Sequence, residues 1–343
     1  MRRLLHHCRV TMLAAVVAVV LSLLIGCADP SARDLKLRLS ADDRVTSSAE
    51  VSVAPPTALA EPSRRLLSAD PEERFNAGRA LDDARALTAF GVRPGGSRAE
   101  RRAAEYIERR LRSMGYRPSV ETFELPNGKT SRNVIATAPG AGSDRTIIVG
   151  AHFDTKPPSP GANDNASGCG VALELARLLA ANPAAANVQF VFFGTEEYLL
   201  DAPGDNHHLG SRFHAKSMTD SEVGDAAAML SIDMVGYGTR QYVRSMERGP
   251  RDFVEIMLAE AKRKGVQLSF RKDPGATGWS DHEPYEDRGI PVAWLQWLED
   301  PVYHTAEDDA DHIQRRPIAV SGKLALDVIR DLGPDELERL CDR

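Results

Sequence analysis

The sequence predicts an α/β fold, with three α/β/α layers built around a mixed, mostly parallel central sheet. Two features carry that prediction. Short apolar runs rich in β-branched and aromatic residues, TIIVGA at 146–151 and VQFVFF at 188–193, alternate with longer segments whose apolar residues recur at helical spacing. Small groups of His, Asp and Glu follow the runs directly, which is where an open parallel sheet keeps its chemistry, beyond the carboxyl ends of its strands.

The folded body is expected to begin near Pro71, with Pro71-Glu72-Glu73 reading as a helix start and 71–343 as one catalytic domain. A helix is predicted over 97–115, stopping at Gly115, then two strands near 118–125 and 132–138 around the turn Pro126-Asn127-Gly128. After the strand at 146–151 come a helix over 166–179 and the strand at 188–193. Further strands are expected at 229–234, 266–270 and 292–297, and helices near 250–264 and 316–332. No internal repeat interrupts the series.

Composition narrows the class. A length of 343 residues allows a substantial core, which excludes a disulfide-stapled mini-protein. The formal charge of −6 has the wrong sign for nucleic acid as a partner. At the start, Arg2, Arg3 and Arg9 precede an apolar run over 10–24, too short for a membrane span but the right length for a signal-peptide core, so 1–26 reads as a leader. It ends in Leu24-Ile25-Gly26-Cys27, which resembles the lipobox of bacterial lipoproteins. That resemblance implies cleavage before Cys27, acylation of its thiol, a lipid bilayer as partner, and an extracytoplasmic catalytic domain anchored in the bacterial cell envelope. Loss of the three arginines takes the charge to −9. Residues 27–70 read as a tether, with an Ala/Ser/Val/Pro-rich stretch centred on Pro55-Pro56 that cannot bury enough apolar surface to fold alone. Cys169 and Cys341 remain, either paired or as separate thiols, and the absence of a CxxC argues against a thiolate zinc site.

The polar groups at strand ends are specific. His152-Phe153-Asp154 follows the first buried run and Gly194-Thr195-Glu196-Glu197 the second, while Asp233 ends a third strand. The loop between the first two runs carries Gly161-Ala162-Asn163-Asp164-Asn165-Ala166-Ser167-Gly168, and Tyr303-His304 follows the last strand. Any one of these alone is usually a cap or a surface residue. Two histidines and several carboxylates gathered at successive strand ends need a divalent cation, because buried carboxylates repel one another. Imidazole and carboxylate without thiolate suit zinc, with manganese or cobalt as alternatives.

The stretches GAHFDT, PGANDNASG, FFGTEE, SIDMVG, SDHEPY with GIPV, and YHTAEDD, taken in order over about 76–335, resemble the co-catalytic zinc aminopeptidases of the bacterial leucyl-aminopeptidase type. The resemblance implies that His152 and Asp233 bind one zinc ion, that Glu197 and His304 bind a second, and that Asp164 bridges the two. Two such ions about 3.5–4 Å apart share a hydroxide and polarise a scissile carbonyl. Glu196, adjacent to a ligand yet directed elsewhere, is left as general base. Asp154 is expected to accept the other ring N–H of His152. Tyr303 resembles the family tyrosine that hydrogen-bonds the oxyanion. The activity implied is removal of N-terminal residues from peptides by a monomer.

Zinc-dependent glutaminyl cyclases resemble the chain in the same motifs and in the insertion 198–209 before Gly210-Ser211-Arg212. A cyclase would carry one zinc ion rather than two. The chain departs from that family at Tyr303 and Ala202, where it has tryptophans, and at Ser280, where it has an acid. A metallocarboxypeptidase or deacylase would need a dimerisation domain for which 233–280 leaves no room. Ser280-Asp281-His282 cannot converge as a triad, and Asp281 or His282 is expected to shape the pocket or support the site. His207-His208 reads as solvated loop, Glu307 to Asp309 and Asp311 as an acidic cap on the next helix, Trp294 and Trp297 as core, and Trp279 as a candidate for the cleft.

Overall fold

The central strands of the observed sheet alternate their side chains between two separate cores. The computed structural model describes residues 73–275 and 277–343; the leader 1–26, Cys27 and the tether to residue 70 lie outside the described residues, as do Pro71 and Glu72. In chain order the elements are α1 (Ala77–Thr88), α2 (Arg98–Ser113), β1 (Ser119–Glu124), β2 (Thr130–Ala138), β3 (Thr146–His152), α3 (Gly168–Ala181), β4 (Asn187–Phe193), α4 (Leu209–Ser217), α5 (Asp220–Asp225), β5 (Ala226–Ile232), β6 (Arg240–Arg244), α6 (Asp252–Arg263), β7 (Leu268–Phe270), α7 (Glu283–Glu286), β8 (Val292–Leu298), α8 (Arg315–Asp331) and α9 (Pro334–Cys341). The strands form one sheet in the order β1-β2-β4-β3-β5-β8-β6-β7. Its centre, β4-β3-β5-β8, is parallel; β1-β2, β2-β4 and β6-β8 are antiparallel, so the mixed α/β expectation holds.

The period of two is clear in the packing. Ile147, Val149, Phe190, Phe192, Leu230 and Ile232 face a large core shared with α1, α3, α6 and α8. Ile148, Val191, Phe193 and Met229 face the opposite side, against Ala215 of α4 and Tyr285 of α7. Helix α3 is buried nearly throughout, which explains why its sequence shows apolar residues all round instead of a stripe.

Several expectations change. The helix start read at Pro71-Glu72-Glu73 falls largely outside the described residues; the first α-helix among the described residues begins at Ala77, where the Asn76 carboxamide oxygen accepts the Gly78 and Arg79 N–H groups at 2.9 and 3.3 Å and supplies the cap. Regular helix α3 starts at Gly168, two residues later than expected, after an irregular turn over 162–167 that carries Asp164. Helices α4, α5, α7 and α9 were not anticipated; α5 and α7 are too short to show a helical period, at 6 and 4 residues. Cys169 and Cys341 are free thiols. Among the described residues no helix is long and apolar enough to cross a membrane.

Candidate metal centre and cleft

Parallel register brings the predicted residues to one rim. β3 pairs with β4 so that His152 lies opposite Phe193, and with β5 so that Gly150 lies opposite Ser231. The chain then continues past each strand into Glu196-Glu197 and Asp233, and past β8 into His304. Thr195 and His304 adopt left-handed φ values of 55° and 60°, which turn the following or own side chain back over the sheet edge.

Six side chains converge there. Asp164 lies between the two histidines, with Oδ1 3.1 Å from His152 Nε2 and Oδ2 3.0 Å from His304 Nε2. Asp233 Oδ1 is 3.5 Å from His152 Nε2, and Glu197 Oε1 is 3.0 Å from His304 Nε2. The residues separate into two donor groups, His152 with Asp233 and Glu196, and His304 with Asp164 and Glu197, each with atoms within 4.8 Å of one another. Asp164 faces both groups. His152 is wholly buried, yet neither ring nitrogen has a hydrogen-bond partner, and Asp233 Oδ1 lacks one too. Most buried polar atoms in folded proteins have a partner, and these lie together at one rim. The orphan atoms and the nitrogen-and-oxygen donor set fit a bound zinc ion. Burial, and next the charge of Asp164, pushes Glu197 up to about 8, a repulsion that a cation among these groups would relieve.

The Asp164 loop is held by residues whose spacing now has a reason. Asn163 Oδ1 accepts the Gly236 and Tyr237 N–H groups at 2.8 and 3.0 Å, and Asn165 Nδ2 donates to the Ile232 carbonyl at 2.9 Å, fastening the loop to the end of β5. Gly161 has φ +63°, and a Cβ there would collide with the Asp164 carbonyl and the Thr155 side chain. Asp308, expected as part of a helix cap, instead accepts the N–H groups of Asn163 and Asp164 at 2.7 and 3.1 Å; α8 starts only at Arg315, too far along the chain for it to cap. Ser280 donates to Asp233 Oδ2 at 2.8 Å, a supporting role.

Asp154 differs from expectation. Its Oδ1 is 3.5 Å from His152 Nδ1, and its two oxygens accept the N–H groups of Glu196 and Glu197 at 2.9 and 3.1 Å. It therefore orients the Glu pair, because those N–H groups face it directly. His208 differs more. It is 3% exposed, with Nε2 3.2 Å from Glu196 Oε1 and Nδ1 2.7 Å from Glu283 Oε2. Its neighbour His207 is the exposed one, because the loop turns between them and only His208 points inward. Arg93 also escaped the sequence reading. Completely buried, its guanidinium donates to the carbonyls of Phe153, Pro160 and Gly161, bracing both loops that carry the site. A conspicuous buried arginine has no periodic signal of its own.

These residues open on a cavity of about 530 Å³, whose far wall includes Arg244, Trp279, Trp294 and Gln296. Trp294 is thus both core and wall, and Trp279 is 57% exposed. The Tyr303 ring stacks on His304 with centroids 3.7 Å apart, and burial together with the carboxylates around it, Asp164 foremost, raises its hydroxyl above the ordinary range. Ala202 packs instead on the small cluster of Phe123, Leu125 and Leu199.

Comparison with known proteins places this geometry. The chain is 33% identical over 190 residues to Aminopeptidase YwaD of Bacillus subtilis, covering 52% of this chain and 39% of that protein. It is 29% identical over 225 residues to the protein named "Probable lipoprotein aminopeptidase LpqL" of Mycobacterium tuberculosis, covering 56% and 43%. The chain therefore spans about two fifths of the length of these curated relatives. Among solved structures, the zinc aminopeptidase BSAP of Bacillus subtilis superposes with a TM-score of 0.68 at 20% identity, over 75% of this chain and 94% of that one, a likeness of fold. A glutaminyl cyclase of Tannerella forsythia superposes at 0.66 with 25% identity, over 76% and 99%. Residues 133–329, more than half the chain, match the profile of one family throughout the strand ends that carry these side chains, and the chain belongs to peptidase family M28.

Proposed function

We propose that the chain is a zinc-dependent aminopeptidase that hydrolyses N-terminal residues from peptides. The observation that carries this is Asp164 set between His152 and His304, at 3.1 and 3.0 Å, with the orphaned atoms of His152 and Asp233 beside it. In this reading His152 and Asp233 hold one ion, Glu197 and His304 hold a second, and Asp164 serves both. Bound zinc supplies Lewis acidity toward a scissile carbonyl and acidifies water to a pKa of about 7.

The chain's own groups do the rest. Glu196 Oε2 takes the proton of the attacking water and returns it to the leaving amine. His208 Nε2, 3.2 Å from Glu196 Oε1, favours the ionised carboxylate that a base needs at neutral pH. Asp154 fixes the backbone from which Glu196 and Glu197 project. The Tyr303 hydroxyl donates to the oxyanion as it forms. The carboxylates lining the cavity, with Glu299 at its edge, attract a free α-ammonium, which supports exopeptidase action. The leader and Cys27, with the lipoprotein naming of one relative, support an anchored protein facing outward from the cytoplasm.

The second reading, N-terminal pyroglutamate formation, draws on the likeness to the glutaminyl cyclase. Against it, Ser280 presents a hydroxyl to Asp233 where a cyclase has an acid, and Ala202 packs away from the cavity. Purified protein is incubated with a panel of aminoacyl anilides and with a peptide bearing N-terminal glutamine. Anilide cleavage is expected; pyroglutamate formation without it overturns the proposal. Elemental analysis is expected to give two zinc ions per chain. Glu196→Gln is expected to lower turnover by at least about 10²-fold with zinc retained, the scale of a lost general base.

A further inference from the structure

The insertion 198–209 is tied to the residues that carry the general base. His208 N–H donates to the Glu196 carbonyl at 2.7 Å and Leu209 N–H to that of Thr195 at 2.9 Å. Within the loop, Asn206 accepts the Leu199 N–H at 2.8 Å and donates to the Ala202 carbonyl at 3.0 Å. His208 takes a left-handed φ of 54°, which directs its ring inward, where it is 3% exposed. Its two nitrogens meet two carboxylates, Glu196 Oε1 at 3.2 Å and Glu283 Oε2 at 2.7 Å. The same Glu283 oxygen accepts from Arg212 at 2.9 Å, and Arg212 also pairs with Asp205 of the insertion at 3.1 Å. Glu196 Oε2 is the oxygen turned toward the candidate metal centre, 4.0 Å from His152 Nε2.

We infer that His208, backed by Glu283 and Arg212, is a positioning device for Glu196, holding Oε1 so that Oε2 alone faces the reacting water. The inference rests on the reading of Glu196 as general base. A glutamate side chain has three rotatable bonds and a carboxylate that rotates freely about its last one. Unless a partner holds one oxygen, each turnover bears the entropic cost of finding the productive orientation. The charges alternate along the chain of contacts: guanidinium, carboxylate, imidazole, carboxylate. An acceptor on each ring nitrogen calls for an N–H on each, and the carboxylates of Glu196 and Glu283 raise His208 to about 10 against the opposing effect of burial. Charged hydrogen bonds of this kind are short and directional, suited to fixing an orientation. The relay joins the continuous stretch from the insertion into α4 to α7, about 70 residues further on, so it assembles only in the folded chain.

The test compares His208→Leu, His208→Gln and Glu283→Gln with the parent and with Glu196→Gln, all as zinc-loaded full chain, using an aminoacyl anilide. Zinc content and Tm are measured on each. His208→Leu is expected to lower kcat about 10–100-fold, the usual range for partners that orient a site residue. KM is expected to stay within about twofold, and zinc content to be unchanged. His208→Gln, whose amide N–H reaches the Nε2 position, is expected to recover most of the loss. Glu283→Gln, which keeps the shape but removes the charge, is expected to show the same kcat-only pattern more weakly, and it carries the test if His208→Leu fails to fold. Parent-like kcat in His208→Leu overturns the inference, and so does a loss that tracks zinc or Tm, or a glutamine variant no better than leucine. Activity in Glu196→Gln removes the underlying reading instead. An inactive Glu196→Gln beside a fully active His208→Leu removes the relay alone.

Discussion

Replacing Arg93 with methionine tests whether the site is braced from behind. The buried guanidinium donates to five carbonyls, those of Leu87 at 3.2 Å, Gly91 at 3.0 Å, Phe153 at 2.8 Å, Pro160 at 2.6 Å and Gly161 at 3.1 Å. Burial lowers its pKa to about 10, against the opposing effect of nearby Cys169 and Asp154, and it stays charged at neutral pH. Methionine has similar reach and no donor. Two of the carbonyls keep a backbone partner, since Phe90 N–H bonds to Leu87 and Ala166 N–H to Gly161. For Gly91, Phe153 and Pro160, Arg93 is the donor found among the described residues. Three carbonyls left unmatched at about 1–1.5 kcal/mol each give a loss of about 3–5 kcal/mol. Urea unfolding of zinc-free protein at pH 7 measures this as a lower midpoint at unchanged slope. Arg93→Lys, with three donors, is expected to fall between. A loss under about 1 kcal/mol for the methionine variant refutes the bracing argument. So would a zinc affinity equal to the parent's, because Phe153 and Pro160 flank the segments that present His152 and Asp164.

Asp308→Asn keeps the volume but turns an amide N–H₂ toward one of the two backbone donors it now accepts; zinc affinity is expected to fall about 10–100-fold by competition with a chelator, with circular dichroism unchanged. Glu100 is pushed up to about 8, by burial first and then by Asp154. A carboxyl with its folded pKa raised favours the folded state fully below its unfolded pKa of about 4.3, and that contribution is lost as pH rises through 8. The Tm of the parent is therefore expected to fall between pH 6 and 9 by more than that of Glu100→Gln, and parallel profiles would contradict this. Chelation is expected to abolish activity and lower Tm, with both restored by zinc, because a ligand bound only to the folded state stabilises it.

Much of the candidate site was legible because strand ends are legible. β3, β4, β5 and β8 are short apolar runs bounded by polar residues, so His152, Glu196, Glu197, Asp233 and His304 each stood at a visible boundary. Asp164 stood out by its glycine- and asparagine-rich loop, although the reason for Asn163 and Asn165, the anchoring to β5, is visible only in three dimensions. The residues that support the site were misread or missed. Asp308 lies in an acidic run that fits a helix cap equally well, and Arg93 sits in a glycine- and proline-flanked loop without pattern.

What the sequence determined by itself was the alternation of strands and helices, the order of the polar strand ends and the donor types gathered there. These follow from local periodicity and from chain connectivity, which a linear string records. What only the tertiary structure decided was which partner each group meets. His207 and His208 are chemically identical neighbours, yet one is half exposed and the other is locked between Glu196 and Glu283. The difference arises from one left-handed backbone residue and from packing against α7, 75 residues further along the chain. Contacts between distant segments depend on how layers of the fold close on each other, and no local spacing encodes that.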